Sequence, residues 1–383
     1  MRDAPSVLSA LERTGDAPVA LATVLRTRGP AYRRAGAMAL FAADGHVLAG
    51  GVSAGCLEDD VAARVASTIA DGRPRRLRYD ADDNPFAIPS GCGGQVEILL
   101  EPVLDAESRA GLCGWLRAIT LVGDAGAGGI VLSGRADAHG GFTRILATSD
   151  GDWWFNPVGA EPLSRATRAA LRADAPRAGA GRIGGVYTYE AVDVAWLPVT
   201  PTPLLAIGGA MPDAAPIARH VLDLGWRVVV VEHREARRER FGVSGVEWNP
   251  GDPASLHELV RDDRWAAALV MYHAEAADRE ALTALVTAPP AFVGVLGPRS
   301  RTARLLAETP LADATAWPDW LHAPVGLDLG ADDASEIAVS VVAELLGWYR
   351  GATGAPLARR EGPLHRASAH AELLGTPADW STA

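Results

Sequence analysis

Two rhythms of apolar and polar positions divide this chain. In the first, short apolar runs are set off by turn signals. Residues 6–14 carry a helical spacing, and Val19-Ala20-Leu21-Ala22-Thr23-Val24-Leu25 is an unbroken apolar run of strand length. Ala37–Phe41 and Val47–Val52 flank Asp44-Gly45, a dipeptide that predicts a hairpin. Leu57–Ala70 reads as a helix stopped by Asp71-Gly72 and Pro74, Gln95–Glu101 as a strand ending at Pro102, and 106–118 as a helix. Residues 119–198, rich in Gly, Ala and Arg, read as an antiparallel extension with hairpin-like pieces and the aromatic run Trp153-Trp154-Phe155.

The second rhythm begins after Pro198-Val199-Thr200-Pro201-Thr202-Pro203, whose prolines favour a stiff, extended linker. Strands at Leu204–Gly208, Arg227–Val231, Ala266–Met271 and Phe292–Leu296 alternate with helices at Pro212–Leu224, Ala277–Leu285, Arg301–Ala307 and Ala334–Leu346. That alternation predicts βαβ units and a parallel sheet. The expected fold class is therefore α/β: an N-terminal mixed α+β, cysteine-bearing domain over 1–198 and a C-terminal Rossmann-like parallel-sheet domain over 199–350. Residues 351–383 show no period and read as a tail without order.

Composition narrows the function classes. Of 383 residues, 48% are hydrophobic and 22% charged, ordinary for a globular protein, and the net charge is −11. A field of that sign repels nucleic acid and anionic membrane, so neither is expected as a partner. No apolar stretch is long enough for a membrane span, and the N-terminus has no apolar core of signal-peptide type, so the expected location is the cytoplasm. Three cysteines cannot build a disulfide framework.

Two of those cysteines have an unusual setting. Cys56 lies in Gly50-Gly51-Val52-Ser53-Ala54-Gly55-Cys56-Leu57-Glu58, and Cys92 in Ser90-Gly91-Cys92-Gly93-Gly94. Glycines remove bulk around a thiol and let backbone amides approach a ligand. Cys113, in Gly111-Leu112-Cys113-Gly114-Trp115, reads as core. Neither Cys56 nor Cys92 has the close partner that a structural zinc site needs.

These segments resemble the XdhC/CoxI family, accessory proteins of molybdenum hydroxylases such as xanthine dehydrogenase. The resemblance covers roughly residues 15–105 and 200–348. Its marks are Thr27-Arg28-Gly29 with Arg33-Arg34, Val52–Glu58, Gly91–Gly94, Leu224–Val228, Val293–Arg299 and Pro324–Gly330. The chain departs from the family at Pro30, where Ser is expected, and at Tyr32, where Pro is expected. The resemblance implies a protein that binds the molybdenum cofactor (molybdopterin or its cytosine dinucleotide form), protects it during sulfuration and delivers it to a molybdenum hydroxylase apoenzyme. It implies a cysteine-desulfurase-type sulfur donor as a second partner. Such a protein is a non-catalytic insertion factor rather than an enzyme in the strict sense. A homodimer is the default expectation for a cytosolic protein.

Residue chemistry gives the candidate site. Cys56 stands at a predicted helix start, where the helix field favours thiolate and Glu58, Asp59 and Asp60 oppose it. A soft thiolate suits a metal that takes sulfur ligands. Cys56 and Cys92 are thus the candidate molybdenum contacts through the cofactor, with Ser53, Gly55, Gly91 and Gly93 beside them. Glycines on both sides of Cys92 can turn several amides toward one anion. Arg26, Arg28, Arg33 and Arg34 form a basic knot, and Arg28 and Arg33 are the candidates for the cofactor's phosphate. Each feature has a plain alternative: a buried small residue, a tight turn, a solvated loop.

In the second domain, Ile207-Gly208-Gly209-Ala210-Met211-Pro212-Asp213 carries half of a dinucleotide fingerprint. Met211 stands where glycine lets backbone approach a pyrophosphate, and Asp213 would repel a phosphate, so NAD(P) is doubtful. Gly209, Glu232 at the end of the next strand, and His273 at the end of another are the candidate contacts there. Two rival readings stay open: an NAD(P)-dependent oxidoreductase using this domain, and a ligand-binding scaffold without metal handling.

Overall fold

The computed structural model describes residues 1–80, 94–122, 126–132, 142–148, 153–156, 163–180, 184–312, 316–359, 361, 373 and 375–378. The chain divides into two compact units, Met1–Pro201 with Glu361–Ala383, and Thr202–Arg360.

In the first unit α1 (Ala4–Arg13) precedes β1 (Val19–Arg28), and β2 (Met38–Ala42) and β3 (Val47–Gly50) form the hairpin predicted around Asp44-Gly45. Gly45 takes φ +89°, and the Asp44 carboxylate accepts the His46 N–H at 2.9 Å, which fixes the turn. α2 (Glu58–Asp71) stops where Gly72 turns left-handed. Then follow β4 (Arg75–Tyr79), β5 (Gln95–Val103) and α3 (Ala106–Thr120), whose Asp105 caps it by accepting the Ser108 N–H at 2.8 Å. These strands make an antiparallel sheet in the order β3-β2-β1-β5-β4. Ala20, Ala22 and Val24 of β1 pack with Val61 and Val65 of α2, while Leu21 and Leu25 face α1 and α3. A strand covered on both faces needs no polar alternation, which is why its sequence is an unbroken apolar run.

The antiparallel extension follows as β6 (Gly126–Val131), β7 (Arg144–Thr148), β8 (Trp153–Asn156), α4 (Arg165–Ala180), β9 (Gly185–Tyr189) and β10 (Val192–Val199). The sequence reading has no counterpart of α4, a helix of Arg and Ala with Pro176 inside it, nor of β4, three of whose five residues are Arg. β10 runs through Pro198, so the proline-rich stretch begins as strand. Tail order also differs from expectation: Thr376–Pro377 pairs with Tyr187 and Thr188 and adds a strand beside β9. Main-chain hydrogen bonding to an open sheet edge orders a segment that has no apolar period of its own.

In the second unit the chain runs β11 (Leu204–Gly208), α5 (Ala214–Asp223), β12 (Arg227–Val231), α6 (Glu235–Phe241), β13 (Glu247–Asn249) and α7 (Ser255–Glu258). It continues through β14 (Ala266–Val270), α8 (Glu275–Thr287), β15 (Val293–Val295), α9 (Arg299–Leu306), β16 (Leu321–His322) and α10 (Ala334–Arg350). The strands are parallel, in the order β13-β12-β11-β14-β15-β16. This is the Rossmann order, with its switch point between β11 and β14. α5 and α10 cover one face through Ile217, Val221, Val341 and Leu345; α8 and α9 cover the other through Leu282, Leu285 and Leu305. Among the described residues no helix is long and apolar enough to cross a membrane.

Candidate functional site

Cys56 sits on a loop that closes around a carboxylate of its own chain. Glu58, in the first turn of α2, accepts the N–H groups of Val52 at 3.0 Å, Ser53 at 2.7 Å and Gly55 at 3.0 Å, and also the Ser53 hydroxyl. The Ser53 Oγ in turn accepts the N–H groups of Gly55 and Leu57 at 3.1 and 3.0 Å. Gly55 takes φ +108°, a conformation that L side chains rarely adopt, so the tight path between Ser53 and Cys56 depends on glycine. Ser53, Gly55 and Cys56 therefore form one structural unit. The Cys56 thiol is free and half-buried, packed against the α2 side of the first sheet. The amides that could cradle a ligand anion are held by Glu58, an organiser that sequence reading passed over as a helix-start acid. Burial works to raise the pKa of Glu58, but hydrogen bonds from Ser53 and Val52 outweigh it and hold the carboxyl below its ordinary range.

The arginines take separate roles. Arg26 is buried and gives its Nε to Glu97 at 2.5 Å. Arg33 pairs with Asp3, whose carboxylate also accepts the Met38 N–H. Arg28 ends β1, exposed, in register with Gln95. Because Arg28 and Arg26 lie on the face of β1 that carries Glu97, and Cys56 packs with Val96 and Ile98 on the other, the thiol and the basic residues are on opposite faces of one sheet. They share its end, however. The Tyr79 hydroxyl donates to Asp60 of α2 at 2.7 Å and ties the helix start to the last residue of β4. A Cβ on Gly94 would lie 1.9 Å from the Pro30 carbonyl oxygen, so the start of β5 presses against the Arg28–Pro30 turn, and only glycine fits there. Cys92, Gly91 and Gly93 lie outside the described residues. Cys113 is buried, as its sequence setting suggests.

In the second unit the candidate residues gather at the carboxyl ends of the strands. Gly209 takes φ +101°, and a Cβ there would stand 2.8 Å from Tyr272 Cα and 2.9 Å from the Met271 oxygen. Packing of the turn on β14 thus requires this glycine, whatever binds above it. Glu232 is fully buried and accepts Arg234 Nε at 2.7 Å, Arg234 N–H at 3.0 Å, Arg237 Nη1 at 3.3 Å and Ala210 N–H at 3.4 Å. Although burial raises the pKa of this carboxyl, the hydrogen bonds from Arg234 and the Ala210 N–H, with the Arg234 charge, bring it down to about 2. His273, with φ +56°, reaches across the switch point, its Nε2 standing 2.7 Å from Asp213 Oδ2 at the start of α5. That hydrogen bond raises the His273 pKa against the opposing effect of burial. Asp213 Oδ1 is buried without a partner. The pairing was not legible in sequence, since sixty residues separate the two. Among the described residues no three His, Cys, Asp or Glu side chains gather as a metal site.

Comparisons with known proteins fall along both units. Residues 13–80 match the family model described as the XdhC and CoxI family, and residues 205–345 the XdhC Rossmann domain. A probable xanthine dehydrogenase subunit from Bacillus subtilis (strain 168) is 27% identical over 333 residues, 85% of this chain and 92% of that protein. The uncharacterized protein YqeB of Escherichia coli (strain K12) is 41% identical over 80 residues, 20% of this chain and 14% of its own length. Among solved structures, a xanthine dehydrogenase from Bacillus halodurans aligns with a TM-score of 0.71 at 27% identity, over 94% of this chain and 99% of that one.

Proposed function

Since this chain belongs to the XdhC/CoxI family, we propose that it binds the molybdenum cofactor, protects it during sulfuration and hands it to a molybdenum hydroxylase. The observation that carries this reading is the free, half-buried Cys56 thiol on a loop held rigid by Glu58. A soft sulfur on a preformed loop suits a metal that takes sulfur ligands. Cys92 is proposed as the second thiol. The bound cofactor would supply the molybdenum–sulfur chemistry that the recipient enzyme uses. This chain's residues would hold it: Cys56 at the metal or its sulfur, a guanidinium at the phosphate, and the Ser53–Gly55 backbone at fixed distance.

The names of the similar Bacillus proteins tie those proteins to xanthine dehydrogenase. For this chain they make a molybdenum hydroxylase apoenzyme the proposed recipient, and a cysteine-desulfurase-type protein the proposed source of sulfur. Binding of NAD(P) is not part of the reading. Glu232 and Asp213, which flank the glycine turn, are both engaged with basic residues of the same unit.

Cofactor retention tests the proposal. Purified protein is incubated anaerobically with molybdenum cofactor and passed through gel filtration, and oxidised pterin fluorescence is read in the protein peak. Wild type should retain the pterin, and Cys56→Ser and Cys92→Ser should each retain less. Retention by wild type no better than that of an unrelated acidic protein would sink the reading.

A further inference from the structure

On the face of the first sheet that carries Glu97, one guanidinium edge is buried with no hydrogen-bond partner. Arg78 on β4, Glu97 on β5 and Arg26 on β1 stand in one register row across three strands. Glu97 is fully buried, and its two oxygens are taken by Arg26 Nε at 2.5 Å and Arg76 Nε at 2.7 Å. Arg78 comes third. Its Nε stands 3.9 Å from Glu97, beyond hydrogen-bond reach, and its Nε and Nη2 are buried with no hydrogen-bond partner. Those two N–H groups form one edge of the guanidinium, the edge that meets two oxygens of a phosphate or carboxylate side by side.

Among the described residues the nearby carboxylates have other partners. Asp193 is 3.9 Å from Arg76 and accepts the Thr188 hydroxyl at 2.7 Å. Asp80 accepts from the Gln95 amide. One residue pair further along the same face, Gln95 Oε1 is also buried without a partner, and Arg28 stands in register with Gln95 with its side chain exposed. A buried guanidinium edge without an acceptor is costly, and its two parallel N–H groups suit the paired oxygens of a phosphate.

We propose that the Nε–Nη2 edge of Arg78, with Arg28 across β5 toward the same end of the sheet, is an oxyanion subsite that takes a phosphate monoester. Assigning that phosphate to the molybdenum cofactor rests on the function proposed above; the subsite itself does not. Arg33, bound to Asp3, is not part of it.

Titration calorimetry on the full chain with inorganic phosphate as the probe tests the subsite. Wild type should bind saturably, Arg78→Gln should weaken binding at least tenfold, and Arg78→Lys should recover little because an ammonium lacks the fork. Arg28→Gln, at an exposed position, should weaken binding severalfold and decides the question if the Arg78 variants fail to fold. Absence of saturable binding in wild type overturns the subsite, as does wild-type affinity in Arg78→Gln, or in Arg28→Gln where that variant decides. Pterin retention separates the two readings. Lost phosphate binding with unchanged pterin retention in Arg78→Gln overturns the assignment to the cofactor. Intact phosphate binding without pterin retention in wild type leaves the subsite standing and removes the proposed function.

Discussion

Glu58 holds Ser53 twice, accepting its backbone N–H at 2.7 Å and its side-chain hydroxyl. The loop that presents Cys56 is thereby built on one carboxylate. Replacing Glu58 with Ala leaves the Val52, Ser53 and Gly55 amides without their acceptor. The expected loss is about 1–3 kcal/mol of stability, read by urea unfolding. Glu58→Gln keeps the length but turns an amide NH2 toward backbone donors, so it should restore only part of that. In a Cys92→Ser background, alkylation of Cys56 should quicken severalfold in both variants as the loop opens. Equal alkylation rates in wild type and Glu58→Ala would show that Glu58 does not position the thiol.

The same carboxylate gives a pH dependence with a definite sign. A carboxyl whose folded pKa lies below its unfolded value contributes stability that is present above the unfolded value, about 4.3, and lost as pH falls through the folded one. Melting of wild type should therefore decline on acidification below that value, and the decline should be shallower in Glu58→Gln. Parallel acid profiles for the two proteins would show that this group is not the one titrating.

His273 reverses that sign. Its pKa is raised, chiefly by the hydrogen bond to Asp213, so the pair stabilises the fold fully below the unfolded histidine value of about 6.5, and that contribution fades as pH rises through the folded value. Asp213→Asn should move the His273 titration, followed by NMR of its ring protons, back down toward the ordinary range. An unmoved titration would mean that the pair does not persist in solution.

Gly209 separates packing from ligand approach. At φ +101° and with Tyr272 Cα 2.8 Å from the site of a Cβ, Gly209→Ala should destabilise the second unit by about 2–4 kcal/mol with no ligand present. A protein that melts as wild type does would return this glycine to the ligand-binding reading.

Much of this was legible in sequence where a local rule and the tertiary fold agree. The Asp44-Gly45 hairpin, the stop at Gly72 and the alternating strands and helices after Pro203 each follow from turn chemistry or apolar period. The parallel sheet was legible because buried strands such as Arg227–Val231 are nearly all apolar. What stayed hidden is polar and long-range. β4 alternates Arg76 and Arg78 with Leu77 and Tyr79, a period-two signal masked by charge, because its arginines are drawn inward by Glu97 from another strand. Of the basic knot, sequence proximity grouped Arg26, Arg28 and Arg33, and the sheet sends them to Glu97, to the strand end and to Asp3. α6 and β13 are too short and too polar to carry a period.

The C-terminal segment offers a test that reads the two units apart. Asp174 is fully buried on α4 and accepts the Tyr189 hydroxyl at 2.9 Å and the Gly375 N–H at 3.0 Å, while Trp196 donates to the same Tyr189 oxygen at 2.7 Å. Further along, the Ala378 carbonyl accepts Arg26 Nη1 at 2.6 Å, which joins the end of the chain to the buried Glu97 cluster. A protein ending at residue 374 loses the strand beside β9, one donor to a buried carboxylate and one acceptor for a buried guanidinium. Each such loss costs about 1–3 kcal/mol, so the first unit should melt several degrees lower. The second unit contains none of these partners and should melt unchanged. Tyr189→Phe tests the same network from inside: it removes a donor from Asp174 and the acceptor for Trp196, and should lower the first transition without touching the second. Two transitions that fall together in the truncated protein would show that the C-terminal segment stabilises the whole chain and not the first unit alone.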